Sequence, residues 1–578
     1  MQDSPKADLV NRITHRMSIS DAKAALVVAL FGIVIMIPLA VWGIPAGGDL
    51  TNHYRFALPF YESIRSGHLY PGWLAESNNG FGDARFRFYP PGLYYLLAGF
   101  KLVTGWYWAS VLAFTLVTVL GGLGMYFWTR TSYSARVAMW SGIIYIIVPY
   151  HLNEIYQASL LSEYAACGVL PFVFAFTERT IRRQGTSNIA GLAGSYAFLI
   201  LTSLPMTVIG SLAVFVYALF LLRRERLWSN LFRLGLGVGV GLLASSFFWT
   251  TILWELPWIR GNVGHVTSYY DYRANFLFSP AALTNRNTWY ANLLALAVAG
   301  LFLPALILLK KKVSSEPVGP RIKATVVLTI FSFLMATELS RPLWLVIPKL
   351  REVEFPWRWL AITSLGGSVL LAASIPRWKE MRRTNFRPLY LVPLLGIVLS
   401  LFFIVTQIVW DSDYLSRAKF NSLLVDIRGT GSIKNWMPAW AADNVEVYQM
   451  KERVDANSRK VTIESWEPEQ RVFRVEAGPL SDVRVRTFYY PLWIATAGDR
   501  VLAIRPAPDG ALLISLPPEA TTVTLSFREP RVKTVRIVSA IGWILIAALC
   551  LFDFRKGHRG LNPTVKQAAT DDAHPAPP

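Results

Sequence analysis

Charge is scarce in this chain. Asp, Glu, Lys and Arg make up 16% of its 578 residues, where a soluble globular protein has about 25%. That deficit, with 53% hydrophobic residues and a mean hydropathy of +0.37, excludes an ordinary soluble enzyme and indicates a polytopic membrane protein. Cysteine is nearly absent. Cys167 and Cys550 both fall in apolar runs, which excludes a disulfide framework and a thiolate metal site. There is no P-loop, no GxGxxG on a strand–helix unit, no HExxH and no CxxC, so an NTPase, a dinucleotide enzyme and a zinc protease are disfavoured. An energy-rich substrate must then bring its own leaving group. Negative charge is the scarcer sign, with 37 acidic residues against 57 basic and a net charge of +20. The basic residues sit in short loops between apolar runs, where they orient a membrane protein and attract anionic lipid head groups. Membrane lipids, and no nucleic acid, are the partners this implies.

What is present is a series of apolar runs. A span needs about 20 mostly apolar residues. Candidates are 22–44, 106–128, 137–150, 164–177, 189–203, 206–222, 231–254, 289–309, 324–337, 357–375, 389–409 and 537–552, about twelve helices in all. The first is long for a signal peptide and reads as an uncleaved span. With residues 1–21 placed in the cytoplasm, the basic clusters fall on the cytoplasmic side. Examples are Arg179, Arg182 and Arg183, or Lys310, Lys311 and Lys312. The segment 90–104 is apolar but short, and counting it would invert every later loop. It is expected to lie at the outer interface, with Lys101 snorkelling.

This topology leaves outer segments at 45–105, 151–163, 255–287 and 338–356. Residues 411–533 differ in kind. They alternate with period two in "KVTIESW", "RVFRVEA", "DVRVRTFYY", "RVLAIRP", "ALLISLPP" and "TTVTLSF", which predicts an all-β sandwich. A last helix over 534–553 and a polar, disordered cytoplasmic tail over 554–578 complete the chain. The fold class expected is a polytopic α-helical membrane protein, with a module over 22–410 and an extracytoplasmic β-domain before the last helix.

Polar residues at a membrane surface are costly unless paired or wetted, so clusters there are candidates for function. The densest follows the first span, in "GGDLTNHYRF". It holds Asp49, Asn52, His53 and Arg55, then Glu62, Arg65, His68, Glu76, Asp83, Arg85 and Arg87. A carboxylate at a span's outer end suits a general base, and Arg85 and Arg87 suit a phosphate. Helix caps and surface salt bridges account for most of these residues taken one by one. A second cluster, "YHLNEIYQASLLSEY", holds His151, Glu154, Gln157 and Glu163. A third, "RPLWLVIPKLREVEFPWRWL", sets Arg351 and other charges among Trp and Pro. The loop "WIRGNVGHVTSYYDYRANF" is long enough for a lid.

The order of these pieces is familiar. A span followed by Asp, a helix, "SGHLYPGWL" and "FRFYPPGLYYLLAGF" resembles the large outer loop of the C-type membrane glycosyltransferases, which use polyprenyl-phosphate sugars. Protein O-mannosyltransferases and the arabinose-transferring lipid A enzymes belong to that superfamily. "VPYHLNEIYQASLLSEYAA" and "LWLVIPKLREVEFPWRWL" are similar to a bacterial subfamily described as membrane proteins related to 6-pyruvoyl-tetrahydropterin synthase. "FYYPLWIATAGDRVLAIRPAPDGALLISLPPEATTVTLSF" is similar to the outer β-domain of bacterial proteins that glycosylate envelope polymers.

The resemblance implies a glycosyltransferase in the bacterial inner membrane, with both termini cytoplasmic. It moves a sugar from an undecaprenyl-type phosphate to an envelope glycan, lipid or protein on the outer face. Asp49 is then the base or metal contact, assisted by His53 and Glu163. Arg85, Arg87 and Arg351 hold the donor phosphate. Glu154, Gln157, Tyr89 and Glu62 contact substrate. The resemblance fixes no cofactor; a divalent metal, Mg or Mn, held at Asp49 is an open alternative. Two departures stand out. Many members have a paired acid where Asp49 is followed by Leu50. Lipid A relatives carry Lys where Phe88 and Tyr89 precede Pro90 and Pro91, so Arg85 or Arg87 stands in for it. The competing readings are a lipid-linked glycan flippase and a non-catalytic assembly partner. Nearly charge-free span interiors favour the enzyme.

Overall fold

The computed structural model describes residues 19–559, apart from 184, 261–269, 282–285, 311–319, 384–401, 403, 431–436 and 443–449. Each predicted apolar run among these residues is helical. The first span is α1 (Ile19–Ile35) with α2 (Ile37–Val41). Then come α3 (Leu50–Arg65), α4 (Gly92–Val103), α5 (Trp106–Thr129), α6 (Ala135–Ile147), α7 (Pro149–Tyr156) and α8 (Leu161–Arg182). The bundle continues with α9 (Thr186–Thr202), α10 (Leu204–Leu221), α11 (Leu227–Ala244), α12 (Ser246–Glu255), α13 (Arg286–Lys310), α14 (Pro320–Met335) and α15 (Leu360–Arg383). After α16 (Arg417–Asp426), the sheets intervene before the closing helix α17 (Val532–Arg559).

The expectation of about twelve spans is not met among the described residues. Six helices are long and apolar enough to cross a membrane, or seven if the bent pair α6–α7 is one span. The others fall short for local reasons. Helix α8 carries Glu163, Glu178, Arg179 and Arg182, and α9 and α14 have 17 and 16 residues. The run 389–409 lies largely outside the described residues, as do residues 261–269 of the expected lid, His265 among them. The short segment 90–104 forms α4, 12 residues long, about 18 Å by helical rise. Lys101 on it lies over the rings of Tyr61 and Trp106, its stem on aromatic surface as a snorkelling side chain requires.

Two short strands clamp the exit of the first span. β1 (Ile44–Pro45) pairs antiparallel with β2 (Tyr414–Leu415). Helix α16 follows and packs Phe420 on Tyr54 and Tyr107. The first part of 411–533 therefore joins the bundle. The sheets begin at β3 (Val454–Asp455). One sheet has the order β3, β6 (Ser481–Phe488), β10 (Ala511–Leu516), β9 (Ile504–Pro506). The other has β4 (Val461–Trp466), β5 (Gln470–Val475), β11 (Thr521–Phe527), β7 (Trp493–Ala497), β8 (Arg500–Leu502). Inward residues of both sheets, such as Val485 and Leu512 against Phe473 and Leu525, share one apolar cluster, the arrangement of a sandwich. "RVLAIRP", read as one strand, crosses from β8 in one sheet to β9 in the other.

Arg87 joins the sandwich to the bundle. Its guanidinium is 2% exposed and grips Glu255 at the end of α12, with Nε at 2.5 Å from Oε2. It also pairs with Glu529, just past β11. Tyr490 donates to Glu255 at 2.8 Å, and Arg536 on α17 reaches Glu529 at 3.6 Å. The Arg87 carbonyl accepts from Thr251 on α12 at 2.8 Å. Removing one member of a buried ionic cluster strands the others in low dielectric, at a cost of about 3–5 kcal/mol. Arg87→Ala is expected to lower the unfolding free energy of the detergent-solubilised protein by that order, read as a lower denaturation midpoint. An unchanged midpoint would show that the cluster does not hold the domain.

Candidate active site

The site is built from the short stretch that leaves the first span. Gly47 and Gly48 lie directly on the turn after α7. A Cβ on Gly47 would stand 2.0 Å from the Gln157 carbonyl oxygen, and one on Gly48 2.3 Å from that of Ala158. No side chain fits there, so the pair lets the backbone press flat. The Asp49 N–H then donates to the same Ala158 oxygen at 3.1 Å. Asp49 takes the N-cap position of α3. Its Oδ1 accepts from Asn52 at 3.2 Å, and Arg55 donates to Asn52 in turn at 3.4 Å. The sequence "GGD" thus fixes a carboxylate beside the segment that carries Glu154 and Glu163.

His53, one turn on, is buried, and its Nδ1 is 2.9 Å from the Tyr94 hydroxyl. Burial pushes its pKa down to about 4 against the upward pull of Asp49, so the imidazole is neutral at neutral pH. Tyr94 hydrogen-bonds Tyr89, and Tyr89 meets the Ser162 hydroxyl at 3.1 Å. Burial raises both phenols above the usual tyrosine range, and Tyr89 feels the charges of Asp49 and Arg358 together. Beyond Ser162, Glu163 accepts from Tyr150 at 2.5 Å and from Arg358 Nε at 2.9 Å. Arg358 also donates through Nη1 to the Val353 carbonyl at 2.5 Å. Glu154 is fully buried next to this pair; neither of its oxygens has a hydrogen bond of good geometry among the described residues, and it shares the Tyr150 hydroxyl with Glu163.

The predicted residues fall into two groups. Asp49, His53, Tyr89, Glu154 and Glu163 come together. Gln157 touches the site through its main chain, while its side chain bonds Tyr290 and the Ile408 carbonyl. Arg85 and Arg87 lie elsewhere, and both are neutralised. Arg85 is fully buried against Asp83, with Nε at 2.8 Å from Oδ1, and Arg87 is held as described above. Arg351 is exposed and caps the carbonyls of Trp344 and Leu345. Glu62 pairs with Arg428 at 3.3 Å on the surface. Arg358, Tyr94, Tyr150 and Ser162 were not singled out from the sequence. Arg358 had a signal, as a cation at the entrance to an apolar helix. The tyrosines and Ser162 had none, since in sequence they look like ordinary apolar or capping positions.

A second buried acid provides a control. Glu178, near the far end of α8, is also fully buried. Its oxygens accept from Ser132, Trp128 and Tyr217 at 3.1, 3.1 and 2.9 Å, and Arg182 and Arg321 pair with it. That carboxylate is saturated and structural, whereas Glu154 is not. No three His, Cys, Asp or Glu side chains converge as a metal site among the described residues. Asp49 alone does not make one.

The depressed pKa of His53 has a consequence for stability. In the unfolded chain the imidazole titrates near 6.5. Between about pH 6.5 and 4 the unfolded state therefore binds more protons, and stability falls as the pH falls through that window. From pH 7 to 5 the loss through this one group is about 2 kcal/mol. The drop in denaturation midpoint over that range should be smaller in His53→Gln than in the wild type. Parallel curves for the two proteins would remove His53 as the cause.

No curated protein matches the chain. Arabinofuranosyltransferase AftD from Mycobacteria aligns structurally with a TM-score of 0.42 and 18% identity, over 68% of this chain and 28% of that one. Arabinosyltransferase EmbB from Mycobacterium smegmatis aligns with a TM-score of 0.42 and 13% identity, over 89% of this chain and 64% of that one. This chain thus spans less than two thirds of either structure. The family model of the 6-pyruvoyl-tetrahydropterin synthase related domain, a membrane protein, matches residues 86–415. That is more than half of the 578 residues, and the chain belongs to this family of membrane proteins.

Proposed function

We propose that this protein is a membrane glycosyltransferase, which moves a sugar from a polyprenyl-phosphate donor to an envelope acceptor at the extracytoplasmic face. The observation that carries the reading is the run from Asp49 through His53, Tyr94, Tyr89 and Ser162 to the Glu163–Arg358 pair. It places a half-buried carboxylate at one end and a cation at the other, where a first span meets a loop. Unpaired acceptors at Glu154 lie beside it. Structural acids are saturated, as Glu178 is; an acid kept short of donors suits hydroxyl-rich substrate.

In this reading the acceptor hydroxyl attacks the anomeric carbon and forms the new C–O bond. The bond from that carbon to the donor phosphate oxygen breaks, and its electron pair leaves with the lipid phosphate. Asp49 takes the hydroxyl proton. Arg358 stands in the site, where Arg85, Arg87 and Arg351 do not; with Glu163 on its Nε and the Val353 carbonyl on its Nη1, its remaining N–H groups favour the phosphate's charge. Glu163 orients it, and the neutral His53 with the two tyrosines fixes the wall between acid and cation. Glu154 receives sugar hydroxyls.

The test is sugar transfer in reconstituted membranes supplied with a panel of polyprenyl-phosphate sugars and crude envelope acceptor. Asp49→Asn should lose about 10²–10⁴-fold in rate, the span of general-base catalysis, with an unchanged denaturation midpoint. Gly48→Ala should lose activity as well, because its Cβ displaces the Asp49 backbone. Equal transfer by wild type and Asp49→Asn would remove Asp49 from the chemistry.

A further inference from the structure

One group of arginines in the sandwich has no use in the reading above. Most arginines there are satisfied. Arg459 donates to three carbonyls at 2.6 to 2.9 Å, and Arg484 and Arg505 pair with Asp509 and Asp482. Arg453, Arg471 and Arg486 are different. The register that sets Val454 opposite Val485 and Asp455 opposite Arg484 brings Arg453 opposite Arg486, and the Arg486 N–H donates to the Arg453 carbonyl at 2.9 Å. Like charges directly opposite on neighbouring strands are destabilising. Arg471, from the other sheet, donates through Nη1 to the Arg486 carbonyl at 3.3 Å, so three cations gather at one edge of the sandwich.

No carboxylate pairs with any of the three among the described residues. Arg471 is fully buried, and its Nε and Nη2 have no acceptor there; nor does the buried Nε of Arg486. Burial and the charges of Arg486 and Arg453 push the Arg471 pKa down to about 9, so it stays protonated at neutral pH. Its guanidinium lies between the rings of Trp466 and Trp493, at 4.6 and 5.0 Å, and Arg453 lies over Trp466 at 5.4 Å. Stacking uses the face of a guanidinium and leaves its in-plane N–H donors free. It fixes these donors without neutralising them. An uncompensated buried charge is costly.

We propose that Arg453, Arg471 and Arg486 form a site for one oxyanion, a phosphate or carboxylate carried by an acidic envelope glycan. Arg471 supplies the enclosed floor, and the exposed Arg453 supplies the mouth. An enclosed floor with one open cation admits a single protruding anionic group. A bilayer surface instead suits broad, exposed polybasic stretches. The turn at Gly80, in the loop that begins with Asp49, closes the site from the bundle side, since a Cβ there would lie 3.3 Å from Arg486 Nε. The site is independent of the transfer chemistry.

The test uses the full chain in detergent, with thermal midpoints read in sodium phosphate or a soluble oligogalacturonate against sodium chloride at equal ionic strength. Phosphate and the uronate should each raise the wild-type midpoint by mass action. Arg453→Gln should raise the midpoint in chloride, because it removes a repelling charge, and should abolish the rise with either anion. Both effects should be absent in Arg500→Gln, an exposed arginine of the other sheet. A wild type indifferent to both anions overturns the proposal. So does an Arg453→Gln that is destabilised in chloride, the result expected of a purely structural stack of Arg on Trp. Binding of wild type, but not Arg453→Gln, to phosphatidylglycerol vesicles without any response to the soluble anions assigns the cluster to lipid and overturns the glycan.

Discussion

The arrangement depends on a buried guanidinium that cannot be left alone. Arg87 is taken almost wholly out of water, and only the two carboxylates of Glu255 and Glu529 make that tolerable. The three side chains come from the first loop, the end of α12 and the exit of the sandwich. Satisfying one charge therefore brings three remote parts of the chain to one point. The loop from Asp49 to Tyr89 is pinned at both ends as a result. Gly47 and Gly48 hold its start against the turn after α7. Arg87 holds its end against α12 and the sandwich, two residues before Tyr89 enters the site.

The two ends of α8 hold buried acids in unlike surroundings. Glu178 has more donors than a carboxylate needs, and every one is a side chain of the bundle. Glu163 is bonded on both oxygens, yet its partners Tyr150 and Arg358 face a neighbour, Glu154, whose oxygens lack a well-formed hydrogen bond among the described residues. Two acids share one cation there. A fold without a substrate to receive gains nothing from that imbalance, since the unpaired acid costs desolvation and returns no bond. The position of the imbalance, beside the fixed Asp49, is the argument for a site.

Much of the architecture was legible because it follows from length and period. Helices fall on the apolar runs, α4 is too short to span, and the alternation in "RVFRVEA" or "TTVTLSF" becomes β5 and β11. What was not legible is pairing. Arg85 and Arg87 looked like free cations in a basic loop, but their partners are two and 168 residues away, and nothing local marks the second. Period-two patterning likewise could not reveal that "RVLAIRP" changes sheet, since both halves alternate alike. It could not reveal α16 either, because a ten-residue helix ahead of the strands has no long apolar face.

The candidate site was half legible for the same reason. Asp49 stood out because a carboxylate directly after a span is expensive, and expense is visible in sequence. Its neighbours Tyr94, Tyr150 and Ser162 cost nothing where they stand, so they carry no mark until the fold turns them toward one another. Arg358 lies between these cases. It is the cation at the mouth of an apolar helix, and its value depends on Glu163, 195 residues earlier. The glycines before Asp49 show why position outweighs composition. With their Cβ sites 2.0 and 2.3 Å from carbonyl oxygens, any other residue would lift the acid away from the segment that gives it neighbours. "GGD" is informative because two missing side chains place a third.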